Sequence, residues 1–324
     1  MRFIVYGAGA IGGVLGGRLF RAGEDVVLIA RGPHHDAIRD AGLTVECPTG
    51  SVTLPVPVVD HPTRITFTGD DVVLLAVKGQ HTAEAIAALD AAAPDGVPVV
   101  SLQNGVENER RLLRTFADVY PVCVMMPAAH LEPGVVQASS TPVEGILDIG
   151  RHPDGIDDRA EAIAAAFRRA GFDSVARPDI ARWKRRKLLL NLANAIDAVC
   201  GLEGAGLDLY VRVQDEGVRC LEAAGLDVAT KEEDDARRDG VLNIAPIDGR
   251  DRAGSSGWQS LQRSTGTVES DYLNGEITLL GRLHGVPTPA NALLQRLANQ
   301  CAREHRPPGS MAPEDVLALL PKLV

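Results

Sequence analysis

The feature that most constrains this chain is a glycine-rich turn close to its beginning. Gly7, Gly9 and Gly12 have the spacing G-x-G-x-x-G. The apolar run from Phe3 to Tyr6 precedes them and predicts a strand, and apolar residues at helical spacing follow them. A second apolar run, from Val26 to Ala30, predicts the next strand. The sequence therefore predicts a βαβ unit that begins a parallel sheet.

Each glycine of this turn has a separate use in a dinucleotide-binding site. Gly7 permits the tight turn, Gly9 permits close approach of a pyrophosphate, and Gly12 permits packing of the helix on the strand. The helix N-terminus adds free N–H groups and partial positive charge. Two alternatives stay open at this point, namely a glycine-rich turn in another α/β protein and the related loop of a methyltransferase.

The end of the second predicted strand indicates which dinucleotide is bound. An NAD site has Asp or Glu there, which holds the ribose hydroxyls, whereas this chain has Ala30 and Arg31. A small residue followed by a cation suits a 2′-phosphate, so we expect NADP(H). The alternative is that Arg31 is a solvated surface arginine.

Length, charge and cysteine content narrow the class of protein. The 324 residues are enough for two domains. The net charge of −10 argues against nucleic acid as a main partner. The five cysteines are scattered without a C-x-x-C, which predicts neither a disulfide framework nor a zinc site. With no membrane-length apolar run and no signal peptide before the first strand, we expect a cytoplasmic protein without a metal or a membrane partner.

The character of the chain changes after Pro178. Before it, apolar strands alternate with helical patterns, and a last short strand is predicted at Asp173 to Ala176. After it, helical periods predominate, and Thr230 to Arg252 predicts a loop or a short solvated helix. We therefore predict a Rossmann-type doubly wound sheet over residues 1–178 and an all-helical domain over residues 179–324.

Two polar residues follow predicted buried strands. Lys78 ends the strand that begins at Asp71, and Asn104 follows the strand from Pro98 to Leu102. Ligands of open α/β sheets bind at the carboxyl ends of the strands, so both residues are candidates to contact cofactor or substrate. The alternatives are a solvated lysine and an ordinary Asn-Gly turn.

A further group of candidates lies between residues 182 and 194. Read as one helix, this stretch places four residues on a single face: Trp183, Lys187, Asn191 and Asn194. Lys187 leads into the apolar part, and a partly desolvated lysine can act as a general acid near neutral pH. The remaining cations are expected to form a solvated basic patch: Arg182, Lys184, Arg185 and Arg186.

Glu269 is the last candidate, and it borders the apolar stripe of a helical pattern between Ser264 and Val286. A carboxylate in that position is a candidate functional residue. The alternative is that Glu269 only complements the helix N-terminus in its first turn.

Several segments, in the same order along the chain, resemble the ketopantoate reductases of the 2-dehydropantoate 2-reductase type. The resemblance spans nearly the whole chain through seven segments: GAGAIGG (7–13), VKGQ (77–80), SLQNGVEN (101–108), EPGVV (132–136), WKRRKLLLN (183–191), ESDYLNG (269–275) and HGVPTPAN (284–291). Several matches in the right order are more specific than any one of them.

The resemblance implies an NADPH-dependent reductase that converts the 2-keto acid ketopantoate to the 2-hydroxy acid pantoate in pantothenate biosynthesis. Lys187 is similar to the family's general acid, and Glu269 is similar to the residue that binds the hydroxyl side of the substrate. Asn104 resembles a cofactor and substrate contact, Lys78 the active-site lysine of the nucleotide domain, and Asn191 a substrate-binding asparagine. The site is expected in a cleft between the two domains. Whether the protein forms a homodimer is left open.

The residue patterns and the resemblance together predict the members of the site. The catalytic residues are Lys187 and Glu269. The cofactor-binding residues are Gly7, Gly9, Ala10, Ile11, Gly12, Arg31, Lys78 and Asn104. The substrate-binding residues are Asn104, Asn191, Asn194 and Ser256.

Three departures from the family pattern bear on the substrate. The family's second asparagine is Ala195 here, with Asn194 beside it, and the usual N-P-L-T-A reads AIDAV at 195–199. The serine segment S-M-x-Q-D reads SGWQS at 256–260. These positions contact the acyl part of the family's substrate, so we expect ketopantoate to be a poor substrate. The alternatives are a related NADP-dependent hydroxyacid or opine-type dehydrogenase and a non-catalytic NADP-binding sensor.

Overall fold

The structure is a computed structural model that describes residues 1–252 and 254–321. The chain forms two compact units, and each unit is assembled from separate segments. The first unit contains Met1–Gln103, Asn108–Trp183 and Lys231–Arg252. The second contains Asn104–Glu107, Lys184–Thr230 and the described part of Ala253–Val324. The domain boundary after residue 178 stays a prediction.

Strands alternate with helices in the first half of the chain, and helices dominate the second half. In chain order the strands are β1 (Arg2–Tyr6), β2 (Asp25–Ile29), β3 (Leu43–Cys47), β4 (Gly50–Leu54), β5 (Val58–Val59), β6 (Asp71–Leu75), β7 (Val99–Ser101), β8 (Val119–Met125), β9 (Ala128–Ala129), β10 (Val135–Ala138), β11 (Ser140–Pro142), β12 (Ile146–Ile149) and β13 (Leu242–Ile244). The helices are α1 (Ala10–Arg21), α2 (Gly32–Ala41), α3 (Thr82–Asp90), α4 (Asn108–Leu112), α5 (Asp158–Arg169), α6 (Ile180–Asn191), α7 (Ala193–Val199), α8 (Ala205–Ala223), α9 (Lys231–Arg238), α10 (Ser256–Gln262), α11 (Asn274–His284), α12 (Pro289–Arg303) and α13 (Pro313–Ala318).

The main sheet of the first unit has seven strands in the order β12-β8-β7-β6-β1-β2-β5. All neighbours are parallel except β12 and β8, which run antiparallel. In the central register, Tyr6 of β1 lies opposite Ile29 of β2 and Leu75 of β6. The three central strands therefore end level with one another, and the segments that follow them leave from the same edge.

Both faces of this sheet are buried, which explains the continuous apolar runs of its strands. Phe3 and Val5 of β1 belong to a core that also contains residues of α1 and α5. Ile4 and Tyr6, which point the other way, belong to a second core with residues of α3 and α4. The predicted fold class, a doubly wound sheet followed by a helical part, is confirmed.

The short strand predicted at Asp173 to Ala176 is wrong, whereas the short helix predicted within residues 230–252 is present as α9, followed by the unpredicted strand β13. Asp173 to Ala176 forms no strand and makes only isolated bridges, from Asp173 to Ile146 and from Ala176 to Ile149. Residues 230–252 return to the first unit, where β13 pairs antiparallel with β11. Arg237 of α9 accounts for the return, because it donates hydrogen bonds to Asp148 and Asp173. Such long-range ion pairs leave no periodic pattern in the sequence.

The second unit packs its helices around a buried carboxylate, Glu216 of α8, which is 4% exposed. Its oxygens accept hydrogen bonds from the backbone N–H groups of Ala290 (2.8 Å) and Asn291 (2.9 Å) at the start of α12. The Asn291 side-chain amide donates to Glu216, and its oxygen accepts from Asn274 of α11 at 3.0 Å. Asn274 also donates to the carbonyl of Leu192, between α6 and α7, at 3.5 Å.

This polar chain is expected to stabilise the second unit strongly. Glu216→Gln replaces an acceptor-only group by one that presents an N–H to the N–H groups of α12, and loss of a charged hydrogen bond costs about 1.5–3 kcal/mol. Denaturant unfolding followed by circular dichroism measures the change. Glu222→Gln on the exposed face of the same helix is the control and should stay within about 0.5 kcal/mol. Equal effects of the two variants would contradict the role given to Glu216.

Candidate active site

The glycine-rich turn joins β1 to α1, and Gly9 is the N-cap of that helix. No side chain caps the helix, and its first turn contains no acidic residue. A Cβ on Gly12 would lie 2.2 Å from the Gly7 carbonyl oxygen, whereas a Cβ on Gly9 would meet no heavy atom within 4 Å. Gly12 is thus required by packing, while Gly9 leaves space open in front of the N–H groups that begin at Ala10 and Ile11. That space and those donors fit a pyrophosphate.

Arg31 follows β2 and is the N-cap of α2. The end of β2 is tied to the glycine-rich turn, because the carbonyl of Ile29 accepts hydrogen bonds from the N–H groups of Gly7 (3.0 Å) and Ala8 (3.2 Å). The side chain of Arg31 is 55% exposed and donates to Glu84 at 2.7 Å. An exposed ion pair contributes little free energy, so this pairing leaves the guanidinium able to bind another anion.

The ends of β6 and β7 are joined by Gln103, a residue that our sequence reasoning did not select. Its side-chain amide donates to the carbonyl of Val77 (2.7 Å) and to the hydroxyl of Thr82 (2.8 Å). Lys78 lies between these two partners in the chain and is half-buried. The position of Gln103 at a strand end, inside the SLQNGVEN segment, was the signal that could have identified it.

Asn104 and Asn191 come together in the second unit. The side-chain amide of Asn191 donates to the side-chain oxygen of Asn104 at 3.1 Å, and Asn191 is 6% exposed. Asn191 is the last residue of α6, and Lys187 lies one turn before it on the same face. Residues predicted from two distant segments, and from their spacing on a helix, are therefore neighbours.

The prediction that Asn194 lies on the same helix face as Lys187 and Asn191 is wrong, because it assumed one continuous helix, while its assignment to substrate binding stays a prediction. α6 ends at Asn191 and α7 begins at Ala193, so Asn194 belongs to a different helix from Lys187. The backbone carbonyl of Asn194 accepts a hydrogen bond from Ser255 at 3.5 Å. The break leaves the Leu192 carbonyl to accept the hydrogen bond from the helical core described above.

The prediction of a solvated basic patch is also wrong, since none of its four residues is exposed. Lys184 is 4% exposed. Arg182 forms an ion pair with Glu233 at 2.8 Å. Arg185 donates to the carbonyl of Asp227, and burial lowers the pKa of its guanidinium. The run of charged residues in this helix therefore did not predict side chains exposed to solvent.

Glu269 is 8% exposed and begins a short 3-10 turn, Glu269–Tyr272, rather than the predicted α-helix. The hydroxyl of Ser256 donates to Glu269 at 3.4 Å. Ser256 is the first residue of α10, whose N-cap, Ser255, is held by the carboxylate of Asp197 through its backbone N–H at 2.8 Å. Glu269 and Ser256, which were predicted separately as site residues, are therefore in contact.

The residues that depart from the family pattern lie where α10 packs against α7 and in the apolar core of the second unit. A Cβ on Gly257 would lie 2.4 Å from the Asn194 carbonyl oxygen and 3.3 Å from the Cβ of Ala198. Gly257 and Ala198 allow α10 to lie against α7, and Asp197 fixes the N-cap of α10. Ala195 is 2% exposed within the apolar core of the second unit. The amide of the family's second asparagine has no polar counterpart at this position.

Across residues 1–252 and 254–321, no three His, Cys, Asp or Glu side chains are grouped to hold a metal ion. Over the same part of the chain, no helix combines the length and apolar content needed to cross a lipid bilayer.

A doubly wound sheet with a glycine-rich turn at its first helix defines the class, a Rossmann-type nucleotide-binding fold followed by a helical part. Residues 3–154 match the family described as ketopantoate reductase PanE/ApbA, and residues 179–302 match its C-terminal part. The chain belongs to the ketopantoate reductase family, whose members are oxidoreductases. The resemblance drawn from the seven segments is confirmed.

Individual relatives agree over nearly the full length. The 2-dehydropantoate 2-reductase of Pyrococcus horikoshii is 30% identical over 306 residues, which cover 92% of this chain and 96% of the relative. The crystal structure of a PanE/ApbA family ketopantoate reductase from Ralstonia eutropha is 30% identical with a TM-score of 0.79, covering 94% of this chain and 100% of that chain. A D-mandelate dehydrogenase with NADH and anilino(oxo)acetate also has a TM-score of 0.79, at 20% identity over 94% of this chain and 99% of that chain, which shows a shared fold.

The two glycines of the turn should respond differently to alanine. Gly12→Ala forces the new Cβ against the Gly7 carbonyl, so it should lower the free energy of unfolding by about 1–3 kcal/mol, the usual cost of overpacking. Gly9→Ala meets open space and an extended backbone, so its thermal transition should stay close to that of the wild type. Differential scanning calorimetry of both variants makes the comparison. A large loss of stability in Gly9→Ala would show that this space is not open.

Proposed function

We propose that this protein reduces the carbonyl of a small 2-keto acid to a hydroxyl group with NADPH. The observation that carries the proposal is the hydrogen bond between Asn191 and Asn104, one helical turn from Lys187. It joins a strand-end amide to a helix that bears a half-buried cation. Membership of a family of oxidoreductases supports the same reaction class.

The cofactor would be held by residues of the glycine-rich turn and the neighbouring strand ends. The N–H groups at Ala10 and Ile11 would bind the pyrophosphate, since Gly9 leaves room for it. Arg31 would bind the 2′-phosphate, and Lys78 and Asn104 would contact the rest of the cofactor. When bound, NADPH supplies the hydride that adds to the substrate carbonyl carbon.

Lys187 would donate the proton that completes the reduction. Addition of a hydride to a carbonyl builds negative charge on its oxygen, and the Lys187 ammonium stabilises that charge and then transfers its proton to it. The resulting neutral amine regains a proton from solvent. Asn104 and Asn191 would orient the keto acid, and Glu269, with Ser256 hydrogen-bonded to it, would bind the hydroxyl side of the substrate.

The substrate is proposed to differ from ketopantoate in its acyl part. Ala195 presents no amide where the family has an asparagine, and Gly257 brings α10 close to α7. An NADPH-consumption assay across branched 2-keto acids tests both the reaction and the substrate. We expect turnover with at least one of these acids, and a kcat/KM for ketopantoate below about 10⁴ M⁻¹s⁻¹, the low end of the usual enzymatic range. Cofactor binding without turnover on any keto or hydroxy acid would favour a sensor instead.

Arg31 should determine the preference for the phosphorylated cofactor. A charge-assisted hydrogen bond contributes roughly 1.5–3 kcal/mol, so Arg31→Ala should weaken NADPH binding about ten- to a hundredfold and leave NADH binding almost unchanged. Glu84→Gln removes the competing carboxylate and should strengthen NADPH binding slightly. Isothermal titration calorimetry with both cofactors measures these changes, and equal losses for NADPH and NADH would refute the assignment.

Lys187 should be essential to the chemical step but not to cofactor binding. General acid catalysis contributes about 10²–10⁴-fold, so Lys187→Ala should lower kcat by that factor. Lys187→Arg keeps the charge but cannot release a proton near neutral pH, so it should also be slow. The NADPH dissociation constant should remain unchanged in both variants.

The control for Lys187 is its neighbour Arg186, because Lys184 is buried and its removal would disturb folding. Arg186→Ala removes one positive charge from the same helix, about 100° around its axis. Its kcat should stay near that of the wild type. If Arg186→Ala and Lys187→Ala reduce kcat equally, the effect belongs to the charge of the helix, and Lys187 is not the proton donor.

A further inference from the structure

The imidazole of His34, in the first turn of α2, bridges the glycine-rich turn and the loop before β10. Its Nε2 lies 2.7 Å from the carbonyl oxygen of Ala8, and its Nδ1 lies 2.9 Å from the backbone nitrogen of Gly134. A backbone N–H can only donate, so Nδ1 is the acceptor, and Nε2 carries the hydrogen that is donated to Ala8. The two contacts together require the neutral imidazole in a single tautomer.

The position of Ala8 makes this contact relevant to ligand binding. Ala8 is the second residue of the glycine-rich turn, directly before Gly9, and it is 2% exposed. Its N–H donates to the carbonyl of Ile29, and its carbonyl accepts from His34. Both peptide groups that flank Ala8 are thereby fixed, and the second of them contains the N–H of Gly9. His34 therefore acts on the orientation of the donors at the start of α1.

The surroundings of His34 hold the ring in place. The ring of His130 lies 4.1 Å away, centroid to centroid, and its Nδ1 is 3.0 Å from the carbonyl of Val135. Gly134, which donates to His34, accepts in turn from the N–H of Thr44 in β3 at 2.9 Å. The bridging imidazole is thus built into a hydrogen-bonded framework that extends from α2 to β3.

We propose that His34 is a positioning residue for the cofactor, which presents the N–H groups of the glycine-rich turn to the pyrophosphate while its imidazole is neutral. The inference rests on the proposed function. A second proton, on Nδ1, removes the acceptor for Gly134 and sets two N–H groups face to face. Cofactor binding should therefore weaken as the pH falls through the range in which imidazoles titrate.

Other ionisable groups lie on α2 and on the loop before β10, and the test must separate their effects from that of His34. His130 faces His34 directly. On α2 and its N-cap, Arg31 pairs with Glu84, and His35 pairs with Asp36. The loop that carries Gly134 also contains Glu132, which is exposed. The 2′-phosphate of NADPH itself titrates near pH 6, so only differences between variants measured with the same ligand are informative.

The test compares His34→Gln, His34→Ala and the control His35→Gln on the full-length protein. Glutamine offers one donor and one acceptor without titrating, whereas alanine offers neither. Dissociation constants for NADPH are measured by isothermal titration calorimetry at pH 8 and pH 6, with thermal unfolding as a check on folding. At pH 8, His34→Ala should bind NADPH about tenfold more weakly, while His34→Gln and His35→Gln stay within about threefold of wild type.

Between pH 8 and pH 6, the dissociation constant of wild type should rise several-fold more than that of His34→Gln. In steady-state assays, His34→Ala should raise the KM for NADPH and leave kcat at saturating cofactor unchanged. The inference is overturned if His34→Ala binds as wild type does, if His34→Gln is as weak as His34→Ala, or if wild type and His34→Gln have the same pH dependence. Wild-type binding of NADPH without turnover would instead remove the proposed reaction and leave the role of His34 standing.

Discussion

The helical unit depends on the hydrogen bonds that the buried carboxylate of Glu216 accepts. This carboxylate caps the N-terminus of α12, and through Asn291 and Asn274 the hydrogen bonds continue to the carbonyl of Leu192, where α6 ends. Asn191 precedes that carbonyl directly. Two of the asparagines in the family's C-terminal motifs therefore act on the scaffold, because they hold the helix that carries the proposed acid. Their presence indicates a shared architecture more than a shared substrate.

In the first unit, the corresponding constraint is the register of β2, β1 and β6, which end opposite one another. Parallel pairing with Tyr6 opposite Ile29 and Leu75 brings three strand ends to one edge. The backbone of the glycine-rich turn is then fixed from two sides, by Ile29 and by His34. Gln103 joins the next two strand ends in the same way. The backbone groups of the glycine-rich turn are thus positioned by the sheet.

The sequence was informative wherever a local period or a motif determines the structure. The spacing of Gly7, Gly9 and Gly12 predicts the strand, the turn and the helix around them, and the strand-end rule selects Asn104, which is hydrogen-bonded to Asn191. The spacing of Lys187 and Asn191 likewise predicts their common face. The wrong predictions share a different cause, since each concerns a structure that depends on residues distant in the sequence. The break before Asn194 and the burial of Lys184 arise from packing that no local pattern encodes, as does the return of β13 to β11.

The close approach of α10 to α7 has a consequence for the divergence of such chains. Any side chain at position 257 would collide with the Asn194 carbonyl, and the start of α10 is tied to Asp197. Substitutions at Gly257 and at Asp197 therefore both change how α10 packs against α7. A side chain introduced at position 257 alone would displace the backbone of α7 or α10. In the divergence of such chains, a larger residue at position 257 therefore requires a compensating shift in α7, which couples the substitutions of these two helices.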